Sequence, residues 1–314
     1  RTERNFLLSF LSKKMIILLY GKDTYRSKQR LNELKQEFKN ESGINERFLD
    51  AKNLTFEELK NEVLGLSFFN EKKLIIVENV FLNKTLKEEI KEKGKDFLTS
   101  ENIIIFYEQN KILKADLLYS FIRKKGTIEE FNFLEEEELK NWVLNEIEKE
   151  GGMIGDSALN LLCEYAGNDL WRQKNEISKL IAFSKEKITE KEIKLLINIE
   201  TELNIFNTVE AIANNDKGKA IRLIKKHLDK GESIFGILAL ISIQFKNMII
   251  VKTAEDYRRT SLSPFLQRKS FYQSEKFSLE DLKRIYAKIV EIDISVKTGK
   301  IDEKIAIETL ILNI

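Results

Sequence analysis

From residue 15 to about 131, short apolar runs alternate with amphipathic segments. The runs at 16–20, 47–50, 74–77, 103–107 and 127–131 read as strands. The first, third and fourth are almost unbroken in β-branched or aromatic residues, the pattern of strands covered on both faces. Between the second and third, Thr55 and Glu58 form a T-x-x-E capping box, and Phe56, Leu59, Val63 and Leu66 recur at helical spacing. Strands separated by helices of this length predict βαβ units and a parallel sheet.

After Phe133 the strand pattern stops. The acidic run Glu135–Glu138 precedes Leu139, Trp142, Val143 and Ile147, so it opens a helix, where carboxylates are favoured by the helix dipole. Gly151-Gly152 ends that helix. Further helices are expected at 157–165 and 170–183, and at 193–197 behind a second capping box made by Thr189 and Glu192. From 204 onward the chain reads as helical throughout. The apolar stretch 234–251 is its buried central helix, and Ser278 with Asp281 caps a long helix that Gly299 ends. The expected organisation is α/β plus all-α: an α/β domain at 15–133, a small helical domain at 134–200 and a larger helical domain at 201–314.

Composition narrows the classes. Of 314 residues only one is Pro and 13 are Gly, which favours long helices. The balance of 53 Lys and Arg against 51 Asp and Glu gives +2, so no global field draws the chain to nucleic acid or anionic membrane. One Cys excludes intrachain disulfides, and one Cys with one His cannot build a Cys/His zinc site. This cysteine usage fits a reducing, intracellular setting. An unbroken apolar run of membrane-spanning length is absent, so no bilayer segment is expected. Residues 1–14, with basic residues around a short apolar stretch, lack the features of a secretory leader and read as an upstream extension outside the fold.

The first strand leads into Gly21-Lys22-Asp23-Thr24-Tyr25-Arg26-Ser27-Lys28 and then a helix, the place of a P-loop in a nucleotide-binding α/β domain. A working loop reads G-x-x-x-x-G-K-[ST], with a second Gly to wrap phosphate, Lys to offset its charge and a hydroxyl for magnesium. Here Gly21 is present while Arg26, Ser27 and Lys28 hold the other three positions. Glu78-Asn79 follows the strand that would carry the magnesium-binding acid. The placement suits nucleotide and the residues do not, so ATP hydrolysis is not expected. His227, among Arg222, Lys225 and Lys226, reads as a solvated surface residue, and Cys163 as a small buried hydrophobe.

Phe68 and Phe69 follow the capped helix. Neighbours on a helix point about 100° apart, so both cannot face one core; either both are half-buried at the helix–sheet junction or one stands exposed for a partner's pocket. Residues 217–230 hold six Lys and Arg against one Asp. Residues 245–277 mix Lys246, Lys252, Arg258, Arg259, Arg268 and Lys269 with Phe245, Tyr257, Phe271 and Tyr272. Each segment is either a solvated face or a track for a phosphate backbone.

In order and spacing these segments resemble the delta subunit family of the bacterial DNA polymerase III clamp loader. Leu18-Leu19-Tyr20-Gly21-Lys22-Asp23 is similar to that family's strand and vestigial P-loop, and residues 66–77 to its clamp-contact segment and next strand. Ala166-Gly167-Asn168-Asp169-Leu170-Trp171-Arg172 resembles the lid signature, and Glu202-Leu203-Asn204-Ile205-Phe206 the start of the collar domain. Phe277-Ser278-Leu279-Glu280-Asp281-Leu282 and Lys297-Thr298-Gly299-Lys300 complete the pattern.

The resemblance implies an AAA+-like domain, a helical lid and a collar that serves oligomerisation. It implies a non-catalytic cytoplasmic subunit, without cofactor or metal, that binds the sliding beta clamp and opens its ring for loading onto primed DNA. Gamma/tau and delta-prime subunits would be its partners. Phe68 and Phe69, with Leu66 and Ser67, match the clamp-binding segment. Arg172 stands where catalytic relatives place a nucleotide-sensing arginine and is expected to be structural or interfacial here. The catalytic and stator relatives usually carry a four-Cys zinc module, and several carry a Ser-Arg-Cys finger; this chain has neither.

Overall fold

The computed structural model describes residues 16–42, 45–65, 72–184, 186–197, 199–302, 305–306 and 309–311. The chain divides into two compact units between Phe133 and Leu134.

The first unit is built on a five-stranded sheet in the order β2-β3-β4-β1-β5. Its strands are β1 (Ile16–Tyr20), β2 (Asn45–Asp50), β3 (Lys73–Glu78), β4 (Ile103–Glu108) and β5 (Thr127–Glu130). Every pairing is parallel. The apolar runs IILLY, KLIIVE and IIIFYE are the three central strands, and the more polar β2 and β5 are the edges. Alternate side chains divide between two faces, as the period of a strand requires. Ile17, Leu19, Ile76, Ile105 and Tyr107 pack on Leu31, Leu34 and Phe38 of α1 (Thr24–Ser42). Ile16, Leu18, Tyr20, Ile75, Val77, Ile104 and Phe106 share a core with α2 (Phe56–Leu64), α3 (Lys84–Lys93) and α4 (Leu117–Lys125). The expected Thr55–Glu58 capping box is present at the start of α2.

In the second unit α5 (Glu136–Lys149), α6 (Asp156–Ala166), α7 (Leu170–Phe183) and α8 (Glu190–Leu196) pack on one another. Glu135 with Glu138, and Thr189 with Glu192, close capping boxes ahead of α5 and α8. The next helices are α9 (Ile199–Ala213), α10 (Lys217–Asp229), α11 (Ile234–Thr253), α12 (Pro264–Ser274) and α13 (Leu279–Lys297). Helix α9 begins at Ile199, so the change of domain expected between residues 200 and 201 falls in its first turn.

Helix α11 is the centre of a core that includes Val209, Ile224, Ile237, Ile241, Phe245, Met248, Ile285 and Ile289. By length and composition alone it would pass for a membrane span, but it is packed into this core, in keeping with the expected buried central helix. Its polar positions serve the interior instead. Gln244 Nε2 donates to Gln273 Oε1 at 2.8 Å, and Gln273 Nε2 donates to the Phe206 carbonyl at 2.8 Å, tying α11, α12 and α9 together. A satisfied buried polar chain of this kind specifies one packing of three apolar helices.

His227 corrects an expectation. It is 2% exposed, not solvated, and its Nδ1 lies 2.9 Å from Glu232 Oε2. Ala220, Ile224 and His227 are spaced four and three residues apart and form the inner face of α10, while the basic residues occupy the outer face.

Candidate functional site

In parallel α/β sheets, ligands bind outside the carboxyl ends of the strands. At that edge β1 ends in Tyr20 and turns through Gly21 into α1. Gly21 has φ +140°, and a Cβ there would lie 2.1 Å from the Phe131 carbonyl oxygen, so only glycine admits the chain leaving β5 so closely. Three backbone bonds fasten the turn. Gly21 N–H donates to the Glu108 carbonyl at 3.3 Å, Asp23 N–H to the Phe131 carbonyl at 3.0 Å, and Phe131 N–H to the Tyr20 carbonyl at 2.8 Å.

The P-loop positions are filled from within. Asp23 is buried; its Oδ1 accepts the Arg26 N–H at 3.0 Å and its Oδ2 pairs with Arg26 Nε at 2.6 Å. Arg26 Nη2 donates to the Asn132 carbonyl. Ser27 is fully buried, its Oγ 3.3 Å from both the Thr24 carbonyl and the Tyr107 hydroxyl, and its N–H donates to the Asp23 carbonyl at 3.2 Å. Lys28 Nζ lies 5.7 Å from the centre of the Tyr107 ring. A phosphate cradle needs free backbone N–H groups converging on the anion. Here the N–H groups of Gly21, Asp23, Arg26 and Ser27 are all donated to protein oxygens.

Charge at this edge also opposes an anion. Asp50, Glu78, Glu108 and Glu130 are the last residues of β2, β3, β4 and β5. Asn79, in the left-handed region at φ 62°, donates from Nδ2 to Asp50 Oδ1 at 2.9 Å, and this bond holds the Asp50 carboxyl below its usual range. Glu108 is 5% exposed, and burial pushes its carboxyl up from 4.5 to about 6. The backbone N–H groups of Phe81 and Val80 pull the other way, Glu78 adds repulsion and Lys87 offsets part of it.

A raised carboxyl means that the folded chain takes up a proton more readily than the unfolded one. The stabilisation is complete below 4.5 and is lost as pH rises through about 6. Glu108→Gln is therefore expected to flatten the stability profile across that window and to raise stability at pH 8 by up to about 2 kcal/mol. Urea unfolding of both proteins at a series of pH values checks this; an identical pH dependence in the two would contradict it.

Leu66, Ser67, Phe68 and Phe69, the residues expected to contact a clamp, lie outside the described residues. Around them the structure describes α2 up to Gly65 and β3 from Lys73. Arg172 is the third residue of α7, partly buried, and its backbone N–H donates to the Asp169 cap at 3.0 Å.

Of the mixed basic and aromatic residues of 245–277, Lys252, Tyr257, Arg258 and Phe271 line one hollow. Phe245 is in the core, and Phe271 stacks on Tyr257 with ring centres 4.3 Å apart. Arg258 and Arg259 are drawn to Asp256, Arg268 to Glu164 and Lys252 to Glu275. Lys219, Arg222, Lys225, Lys226 and Lys230 of residues 217–230 are exposed together on the outer side of α10 and just beyond it. Cys163 is buried, as expected, and burial pushes its thiol up to about 12, far from a reactive thiolate. Among the described residues no cluster of His, Cys, Asp and Glu could hold a metal ion.

Three residues that complete this edge were not apparent from sequence. Asp23 was visible only as a loop residue, and its role needs Arg26 one helical turn on. Asn132 contributes a carbonyl, which carries no side-chain signal. Glu108 joins the site only through the strand order that sets β4 beside β1.

Residues 202–314 match the family described as DNA polymerase III delta subunit, C-terminal domain. The DNA polymerase III subunit delta of Bacillus subtilis (strain 168) is 24% identical over 320 residues, covering 95% of this chain and 92% of the relative. A probable DNA polymerase III subunit delta from Aquifex aeolicus (strain VF5) is 25% identical over 305 residues, covering 90% and 85%. Among solved structures, the Bacillus subtilis DNA clamp loader delta protein superposes with a TM-score of 0.66 at 22% identity, over 99% of this chain and 98% of that one. That match shows a common fold, a parallel sheet followed by helices.

Proposed function

We propose that this chain is a delta subunit of the DNA polymerase III family, which its C-terminal residues match, and that it binds the sliding beta clamp and opens its ring without hydrolysing ATP itself. The observation that carries the non-hydrolytic half is the closed turn at Gly21. Its donors are spent on Glu108, Asp23 and Phe131, and the Arg26 guanidinium is already paired with Asp23. A triphosphate would have to break these bonds and approach an edge where four strands end in carboxylates.

The clamp contact is assigned to Phe68 and Phe69 with Leu66 and Ser67, at the junction between α2 and β3. Burying two phenylalanines contributes on the order of 3–6 kcal/mol gross, from which the costs of association are subtracted. Affinity alone does not open a ring. The bound chain has to favour the open clamp over the closed one, because a ligand with equal affinity for both states shifts nothing. A wedge seated beside a clamp interface supplies that difference without nucleotide chemistry.

In this reading the residues from 201 onward form the collar that joins gamma/tau and delta-prime subunits, primed DNA is met within that cytoplasmic assembly, and Arg172 serves structure or an interface. The test is a titration of the full chain with a fluorescent ATP analogue and magnesium, beside capture on its cognate clamp. The expected result is clamp capture with or without nucleotide and no saturable nucleotide binding. Saturable binding of the analogue would contradict the non-hydrolytic assignment.

A further inference from the structure

Helix α10 separates its charge from its core contacts. Ala220, Ile224 and His227 are buried, while Lys219, Arg222, Lys225 and Lys226 are exposed. Positions 219, 222 and 226 follow one another at three- and four-residue spacing, so they form a row along the outer face, with Lys225 beside it. At 1.5 Å per residue the row is about 10 Å long. A Cβ at Gly218 would lie 3.5 Å from Arg222 Nη1, so the guanidinium lies back along the row, over the exposed glycine one turn earlier.

Other helices of this unit neutralise exposed cations within themselves. Lys149 pairs with Glu146 in α5 at 2.7 Å, Lys179 with Glu176 in α7 at 2.6 Å, Lys194 with Glu190 in α8 at 2.7 Å and Lys297 with Asp293 in α13 at 2.6 Å. In α10, Lys219, Arg222, Lys225 and Lys226 make no ion pair among the described residues. Asp216 is spent as the cap, accepting the Lys219 N–H at 2.9 Å, and Glu232 is paired with His227. Like charges at this spacing repel. Lys219 also opposes the helix dipole, with no acid in the first turn to offset it. The fold therefore holds a concentrated positive row at a cost in stability, and a polyanion laid along it relieves that cost.

We propose that the outer face of α10 binds the phosphate backbone of double-stranded DNA, without regard to sequence. Charge complementarity selects the polyanion. Single-strand binding relies on aromatic platforms for stacked bases, and between 217 and 230 the only ring is that of buried His227. The segment also holds no Asn or Gln to read adenine edges, so its contacts position the duplex rather than specify a base. A duplex carries one charge per about 1.7 Å of axis, so a straight row of this length meets several phosphates at once. The inference goes beyond the clamp reading and does not depend on it.

The test is fluorescence anisotropy of a short labelled duplex titrated with the full-length chain, without clamp or nucleotide. With four phosphate contacts, wild-type affinity should fall roughly 100-fold between about 50 and 200 mM salt. Lys226→Gln should weaken binding and lower the salt slope by about one. The Lys219→Gln/Arg222→Gln/Lys225→Gln/Lys226→Gln variant should lose most duplex binding while keeping the wild-type circular dichroism. Lys149→Gln/Lys194→Gln/Arg284→Gln/Lys297→Gln removes the same charge from other helices and should bind as the wild type does.

Duplex binding that the α10 variant keeps, equal losses in both charge variants, or no binding by the wild-type chain at low salt would each overturn the proposal. A single strand bound as tightly as the duplex would overturn it too. Polyglutamate that displaces the label as well as unlabelled duplex does would assign the face to an acidic protein and likewise overturn it. Each of these failures leaves the clamp reading standing, since no clamp is present.

Discussion

Replacing Phe68 and Phe69 together by alanine is expected to weaken clamp binding by at least about 100-fold while leaving the chain folded. The magnitude follows from area: each truncated ring forfeits about 1.5–3 kcal/mol of burial, and every 1.4 kcal/mol is a factor of about ten in affinity. Such a pair acts as the buried aromatic anchor of an interface, where a few side chains carry most of the energy. Surface plasmon resonance on immobilised clamp, with circular dichroism of both proteins, gives the comparison. Binding that survives the double substitution would leave the function in place and move the contact elsewhere.

Gly21→Ala should have the largest effect on the fold. The new methyl would meet the Phe131 carbonyl oxygen at 2.1 Å, and the backbone there has φ +140°. The carbonyl belongs to the backbone and a Cβ has no torsion by which to turn aside, so relief requires the backbone to move. The combination of a glycine-only conformation with a backbone collision is expected to cost about 3–5 kcal/mol. Both tryptophans, Trp142 and Trp171, lie in the second unit, so their fluorescence would report on the wrong part of the chain. Hydrogen exchange at β1 and β5 is the suitable readout, and protection unchanged from wild type would contradict the tight passage of the chain leaving β5.

The elements that the sequence predicted best are those in which local chemistry and global packing agree. The unbroken runs at 16–20, 74–77 and 103–107 became the three central strands because a parallel sheet buries both of their faces. The boxes at Thr55 and Thr189 closed because a hydroxyl and a glutamate three residues on satisfy each other's end of the helix. His227 was misread because its charged neighbours in sequence lie on the opposite face of α10. The three-and-four spacing of Ala220, Ile224 and His227 carried the correct signal.

The closed turn is a different case. Arg26, Ser27 and Lys28 announced the loss of a phosphate-binding sequence, but not what replaced it. The Asp23–Arg26 pair, the Asn132 carbonyl and the carboxylates of Asp50, Glu78, Glu108 and Glu130 come together only once the strand order is known. A sequence shows which chemistry has been removed from a position more readily than which distant backbone atom now occupies it. The basic and aromatic residues of 245–277 teach the converse. Composition grouped them, and packing sent Phe245 inward, stacked Phe271 on Tyr257 and paired most of the cations with carboxylates.

The most direct test of the account is ring opening by the full chain alone. A cognate clamp carrying a fluorophore and a quencher across one subunit interface is mixed with the protein in the absence of nucleotide. The account predicts a rise in fluorescence that saturates with the protein, is unchanged by ATP and is lost in the Phe68→Ala/Phe69→Ala variant. A clamp that binds the chain yet stays closed until ATP is added to that same two-component mixture would contradict it.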